Sequence, residues 1–543
     1  MTKRIISLAL AAVLALSALC SCAGKTTSSG AGSAAPDKTS SSAGSGTSTK
    51  FTPTYPIVET PITVQGMVVG KDMTNPRLFW TEDLYNLTNI QVEFTNVEKD
   101  AFNTVLSTDT WPDFFHDALN KSQRNEFGTL GHKLVNYLEH LDVMPYLASF
   151  MEEYPDTRKA SLSSDGGMYG LFRYADTPGS VTARMNYNEE FLTKNNIAVP
   201  ETPEEFYEAL KKCKEINNGA APMVTSETAW YGIGIFPAFG KLTSIGWGLD
   251  GDTVINTQIS DQYRAYLSYM NKLYKEGLLH QEYMTLDSNS MLSLVQQGTA
   301  IFFAECAGSV TKDAFSDGKW HIGTLKPLVA KKGDTPILDE RLLVNDIGSF
   351  AMNADSKYVK ELCRLFDTQF AKEEVQEGSG IYGEAWSYGK IGTVMHFNEA
   401  DHTYTQTKRD GTTEGYSNDW VVKNVTYWWA GVEFLMDYLP ASDEANTRQR
   451  LQGMNSVIPY CTGKRLKVDY MNYTEEEQDT LDNYSTEFNN YVDQARSQFV
   501  TGTEGMDVND DAVWNNYVNQ VKSLHYEDLQ KAYQSAYDRF NKS

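Results

Sequence analysis

Short apolar runs of strand length alternate with amphipathic stretches of helix length through most of this chain. That alternation restricts the fold to α/β layering. Ile62 to Val69 reads as a strand, Ile90, Val92 and Phe94 alternate with period two, and Phe114-Phe115 follows the breaker Pro112. Between the first two, Leu78 to Leu87 reads as a helix. Thr202-Pro203-Glu204-Glu205 has the marks of a helix start: an N-cap hydroxyl, proline at the first helical position and a capping-box glutamate. Its apolar stripe continues through Phe206, Leu210 and Cys213. A helix from Asp261 carries Tyr263, Tyr266, Leu267, Met270, Leu273 and Tyr274 on one broad face, with Gly277 placed to end it. Val359, Leu362, Phe366 and Phe370 mark another. Two more follow Asp510, one through Trp514, Tyr517, Val518 and Val521, the other through Leu529, Tyr533, Tyr537 and Phe540. No internal repeat is visible, and 543 residues, which suggest about three or four domains by size alone, also suit a large α/β binding fold.

The amino terminus is of another kind. Lys3 and Arg4 precede an almost wholly apolar, small-residue run from Ile5 to Leu19, the charged and hydrophobic regions of a secretory signal peptide. The run is too short to span a bilayer comfortably. It ends at Leu19-Cys20-Ser21-Cys22, which resembles the lipobox of bacterial lipoproteins. Cys22 has the apolar residue at minus three and the small residue at minus one. Cys20, preceded by Ser17-Ala18-Leu19, does not fit, and it occupies minus two, where that motif prefers a small or β-branched residue. From Gly24 to Lys50 the chain is nearly all Ser, Gly, Thr, Ala and Lys, a polar tether with nothing to anchor a core. Its r.m.s. reach is roughly 30 Å. Residues 1–21 are therefore expected to be a signal peptide and 22–50 a flexible linker lipid-anchored at Cys22, placing the protein on the extracellular face of the cell membrane. The alternative is an ordinary cleaved signal with an incidental cysteine.

Seventy-one acidic against forty-seven basic residues give a formal charge of −24, and loss of Lys3 and Arg4 with the leader makes it −26. Such a surface repels nucleic acid and anionic lipid. It argues more weakly against a polyanionic ligand, because a local basic pocket overrides the net field. Aromatic residues make up 12% of the chain, with 31 Tyr and 10 Trp, and these suit the C–H faces and hydroxyls of sugars as well as filling cores. Beyond residue 50 no apolar stretch is long enough to cross a membrane. Cys213, Cys306, Cys363 and Cys461 are scattered, without a Cys-x-x-Cys pair, and read as small buried residues or at most one incidental bridge. No nucleophile elbow, phosphate loop or His-Glu-x-x-His occurs. His132 and His140 suit a polar surface better than a metal, and chance alone places carboxylates in pairs among so many acids. No catalytic residue, cofactor or metal site is expected.

Six segments between residues 51 and 375 resemble, in order, the extracellular solute-binding protein family 1, the sugar-capturing components of ABC importers, in its long Gram-positive lipoprotein branch. They are Thr108 to Phe115; Ser164-Asp165-Gly166-Gly167-Met168-Tyr169-Gly170; Tyr187 to Leu192 with Ile197 to Phe206; Leu273 to Leu278; Gln297 to Phe303; and Ala351 to Lys357. Tyr533 to Phe540 fits the same branch. The resemblance implies an α/β, two-lobed, periplasmic-binding-protein-like fold with a hinge and an interlobe ligand cleft that closes on ligand. One lobe would comprise residues 51–172 plus about 348–400, the other 173–347 plus about 401–543, with crossings near Leu171 and Ile347. It also implies a monomer that hands an oligosaccharide to permease subunits and has no enzymatic activity. A peptide or other small-solute binding lipoprotein, or a cell-surface glycan-degrading enzyme, are the alternatives. Many members of the branch carry a calcium loop where this chain reads Asn217-Asn218-Gly219-Ala220-Ala221-Pro222, which lacks alternating carboxylates, so no calcium is expected there.

Within that frame Asp117 and Asn120 fall where family members reach the cleft, and carboxylates and amides suit paired sugar hydroxyls. Helix capping is the alternative for both. Trp230 and Tyr231 are adjacent aromatics that cannot both face one core, and Trp247 lies between two glycines. Glu305 follows a strand at its carboxyl end, where open α/β sheets place ligands. Trp386 and the pair Trp428-Trp429 complete the candidate ligand-binding set, with lobe-to-lobe packing as their alternative.

Overall fold

The computed structural model describes residues 51–542 apart from 71–77, 109, 117–118, 177–184, 227–232, 305–308, 346, 408–431, 434–437 and 442–445. The chain first lays down β1 (Ile62–Val69), β2 (Ile90–Val97) and β3 (Phe114–His116). It continues through β4 (Arg173–Ala175) into β5 (Met185–Asn188), β6 (Met223–Val224), the hairpin β7 (Trp247–Asp250) and β8 (Thr253–Asn256), β9 (Phe302–Ala304) and β10 (Ile322–Leu325). It then returns through β11 (Val344–Asn345) to β12 (Phe350–Met352). β13 (Met395–Asn398), β14 (Thr403–Gln406), β15 (Val432–Glu433) and β16 (Leu439–Pro440) follow.

The first sheet has the order β12-β3-β1-β2. β1 pairs in parallel with β2 from Ile62↔Ile90 to Val69↔Val97 and with β3 at Gly66↔Phe114, whereas β12 closes the edge antiparallel. Parallel neighbours need a crossover. Phe79 to Thr88 supplies it, wound as a π-helix over Phe79–Leu84 and an α-turn over Tyr85–Thr88, with Phe79, Trp80 and Leu84 buried. The helix expected over Leu78 to Leu87 is therefore present, with wider winding that accommodates Trp80 among Phe94, Phe114, Phe350 and Trp386. These side chains belong to one core that also takes in Leu147, Phe150, Phe172, Tyr174, Leu362 and Phe366.

The second sheet, β10-β5-β9-β6, has its own core. Helix Pro203–Ile216 begins where its sequence indicates, and the Thr202 hydroxyl accepts the Glu205 N–H at 3.2 Å. The Glu205 carboxylate takes the N–H of Glu201 at 2.9 Å, one residue before the cap, so the expected reciprocal box is displaced by one position. Helix Asp261–Lys275 buries Tyr263, Tyr266, Leu267, Met270 and Leu273 and ends at Gly277, whose φ of 63° only glycine adopts readily. Against it packs the longest helix, Glu475–Thr501, which inserts Phe488, Val492, Phe499 and Val500 into the same core. Each such side chain contributes about 1.5–3 kcal/mol of burial. Helices Asp511–Ser523 and Tyr526–Lys542 complete the layer.

A third sheet, β11-β4-β15, joins strands that follow or precede the two larger ones. Tyr174 pairs antiparallel with Val344 and parallel with Val432. Val432 and Tyr470, from late in the chain, are buried in the first core and not the second. Ion pairs Arg341–Asp176 (2.7 Å), Lys467–Asp156 (3.0 Å) and Lys467–Glu340 (3.1 Å) brace the same region. Among the described residues no helix is long and apolar enough to cross a membrane. Cys213 and Cys363 are buried thiols and Cys461 a half-buried one, all unbridged, and burial pushes the Cys213 thiol up to about 12. Cys306 lies outside the described residues.

Candidate ligand-binding site

In the first sheet the parallel strands β1, β2 and β3 all end on one edge, and the antiparallel β12 begins there. In an open α/β sheet this is the edge that meets ligand. His116 ends β3 with its ring stacked nearly parallel on that of Phe350, the centres 4.4 Å apart, and its Nδ1 lies 2.9 Å from the Ser349 carbonyl oxygen. The Leu171 carbonyl accepts from the N–H groups of Gly348 (2.6 Å) and Ser349 (3.0 Å), so the entry to β12 is tied to the chain leading into β4. A Cβ on Gly170 would fall 2.6 Å from the Gly348 Cα, and Gly348 itself has φ of 96°, so this close crossing depends on glycine at both positions.

Beyond β3 the chain turns at Leu119 into a helical turn, Lys121–Arg124, that continues as a π-helix over Asn125–Leu130. Asn120 caps it: Oδ1 accepts the Gln123 N–H (2.9 Å), and the Gln123 Oε1 accepts the Asn120 N–H (3.0 Å). The capping alternative for Asn120 is thus the one the structure realises, although the residue is exposed at this edge and its amide nitrogen keeps its donors. Arg124, on the same turn, is buried with 9% of its surface exposed, and Nη1 donates to the Leu119 carbonyl at 2.8 Å. Loss of water around the guanidinium brings its pKa down to about 10. Lys121 sets its ammonium against the Met471 carbonyl and 5.1 Å from the centre of the Tyr473 ring.

On the second sheet the corresponding edge is reached at the ends of β6, β9 and β10. Val224 is followed by buried Thr225 and Ser226, and the Thr225 hydroxyl donates to the Ser226 carbonyl at 3.3 Å. Ala304 leads directly to residue 305. Asn186, in β5 between β9 and β10, accepts from the Thr324 hydroxyl at 3.2 Å.

Two of the expected ligand contacts pack against other side chains in this structure. Trp386 has no exposed surface: it packs edge-on against Phe79 and Trp80 and donates from Nε1 to the Thr368 hydroxyl at 3.1 Å, which makes it a core residue. Trp247 is half-buried at the start of β7 and stacks on Phe488 (5.5 Å) and Tyr526 (5.4 Å) with Tyr533 at 5.0 Å, so distant helices anchor it where its own loop offers nothing. Asp117, Trp230, Tyr231, Glu305, Trp428, Trp429 and Cys22 lie outside the described residues. His116, Lys121 and Arg124 were not anticipated. The run Asn120-Lys121-Ser122-Gln123-Arg124 looks like a solvated helix face, and only the crossing at Gly170 and Gly348 buries its last member.

No protein-family profile matches the chain. It is 26% identical over 214 residues to Lipoprotein LipO of Bacillus subtilis, covering 37% of this chain. The chain spans 40% of that relative's length. It is 21% identical over 367 residues to the polygalacturonan/rhamnogalacturonan-binding protein YtcQ of the same organism, covering 62% of this chain and 67% of YtcQ. Among solved structures, an HMO-binding, ABC-transporter-associated solute-binding protein from Bifidobacterium longum infantis superposes with a TM-score of 0.67 at 18% identity, over 89% of this chain and 99% of that one. The chain has the two-lobed α/β fold of the extracellular solute-binding proteins of ABC transporters.

Proposed function

We propose that this protein is the extracellular solute-binding lipoprotein of an ABC importer: it captures an oligosaccharide in the cleft between its lobes and delivers it to the permease without altering it. The observation that carries the reading is the pair of separately cored sheets joined through β4, β11 and β15, an arrangement that allows hinge closure. The saccharide-binding descriptions of YtcQ and of the Bifidobacterium protein support a sugar over a peptide as cargo. Residues 51–172 with about 348–400 would form one lobe and 173–347 with about 401–543 the other, modified where Val432 and Tyr470 cross into the first core. Asp117, Asn120, Trp230, Tyr231, Glu305, Trp428 and Trp429 remain the proposed contacts to sugar.

Cys22 is the proposed anchor, with residues 1–21 removed as a signal peptide, and the monomeric domain held at the outer face of the membrane by the 22–50 tether. Replacement of Cys22 with Ser releases the protein to the medium or leaves it unprocessed; unchanged membrane retention contradicts the assignment. Small-angle scattering tests closure. Saturating saccharide lowers the radius of gyration of the mature chain, and an unchanged profile at saturation rules the closing mechanism out.

A further inference from the structure

A buried guanidinium without a carboxylate is costly, because desolvation of the charge is offset only by groups that bear opposite charge or accept its hydrogen bonds. Arg124 is in that position. It is nine-tenths buried, and its one hydrogen bond goes to a neutral carbonyl, that of Leu119. Among the described residues no Asp or Glu pairs with it. Its stem fills the space left by two missing side chains: a Cβ on Gly170 would lie 3.1 Å from the Arg124 Cδ, and one on Gly348 would collide with Nη1 and lie 2.9 Å from Cδ. The seat is thus built at the closest approach of the chain entering β4 and the chain entering β12, on the ligand-facing edge of the first sheet.

A second cation stands beside it. Lys121 is exposed as a residue, yet its ammonium is crowded against the Met471 carbonyl and the Tyr473 ring, and loss of water first and the charge of Arg124 second bring it down to about 8. Asp469 is the acid that partly offsets this. The two cations stand on one helical turn, three residues apart, and neither is matched there by a paired carboxylate among the described residues. In a chain of net charge −24 such a local reversal of sign has to be built, since the general field opposes it.

We propose that Arg124, with Lys121 beside it, forms a subsite for the carboxylate of an acidic sugar, so that the captured oligosaccharide carries uronic acid residues. The planar fork of a guanidinium matches a carboxylate with two parallel hydrogen bonds. A neutral hydroxyl would accept one bond and leave the buried charge uncompensated. The proposal rests on the oligosaccharide-capture reading above and narrows it.

The test uses the mature chain on an array of galacturonate, glucuronate and mannuronate oligosaccharides, each present as free acid and as methyl ester, alongside neutral glucans, xylans and fructans and a peptide set. The free acid of at least one backbone binds at least about tenfold more tightly than its ester, the size expected for a charge-assisted pair. Arg124→Met removes that preference, and Lys121→Gln reduces it. If Arg124→Met does not fold, the acid-to-ester ratio of wild type and Lys121→Gln decides. Equal binding of acid and ester, binding of neutral saccharides only, or a preference that survives in folded Arg124→Met overturns the carboxylate subsite and leaves oligosaccharide capture standing. Binding of peptides with no saccharide bound overturns both.

Discussion

The Tyr470 hydroxyl accepts a hydrogen bond from the Val344 N–H at 2.8 Å and donates one to the carbonyl of the same residue at 2.9 Å. One side chain from late in the sequence thus satisfies both backbone groups of Val344 in β11, beside the paired strand β4. Tyr470→Phe leaves both groups buried without a partner, at a cost of about 1–3 kcal/mol. Chemical denaturation should show that loss without ligand. A variant as stable as wild type would mean that water replaces the hydroxyl.

Trp247 and Trp386 should behave as core residues. Truncation to alanine is expected to cost about 3–5 kcal/mol for fully buried Trp386 and somewhat less for Trp247, in the apo protein and whether or not saccharide is present. Denaturation midpoints and binding isotherms on the same samples separate stability from recognition. A folded Trp247→Ala of wild-type stability that fails to bind sugar would return this residue to the cleft.

Asp367 gives a pH dependence with a definite sign. Burial raises its carboxyl from 3.8 to about 8, partly opposed by the backbone N–H groups of Leu147 (2.8 Å) and Tyr146 (3.2 Å) that it accepts. Between these values the unfolded chain has released a proton that the folded chain keeps, so this group lowers stability as pH rises through the window and has no further effect above it. Asp367→Asn should therefore flatten the decline in melting temperature toward pH 8. Parallel pH profiles for variant and wild type contradict the assignment.

Metal should make no difference. Among the described residues no three His, Cys, Asp or Glu side chains are grouped to hold an ion, and in the loop after helix Pro203–Ile216 the Asn217 amide is committed to the carbonyls of Gly298 and Thr299. Melting temperatures with and without a strong chelator are expected to coincide. A fall of several degrees on chelation would reveal a site outside these residues.

Local chemistry was legible in the chain, and distant packing was not. Helix Pro203–Ile216 announces itself because its cap, its proline and its apolar stripe are neighbours, and β1 because Ile62 to Val69 carries its strand pattern within one run. Helix Glu475–Thr501 went unread because Leu481, Phe488, Val492, Ala495 and Phe499 are spread thinly among acids and amides, so its buried face is defined by what covers it: helices Asp261–Lys275, Asp511–Ser523 and Tyr526–Lys542 and the ring of Trp247. Trp247 misled for the same reason: its glycine neighbours suggest an open loop, whereas Phe488, Tyr526 and Tyr533 arrive from the far end of the chain. Arg124 reads as surface until Gly170 and Gly348 meet over it.

The proposed function requires that the chain bind a saccharide and release it intact. Isothermal titration of the mature protein with oligosaccharides selected on the array, followed by chemical analysis of the recovered ligand, tests it most directly. The expected result is one saccharide per chain, micromolar or tighter, equivalent to about −8 kcal/mol, recovered without change in chain length. Recovery of shortened products, or binding confined to peptides, would contradict it.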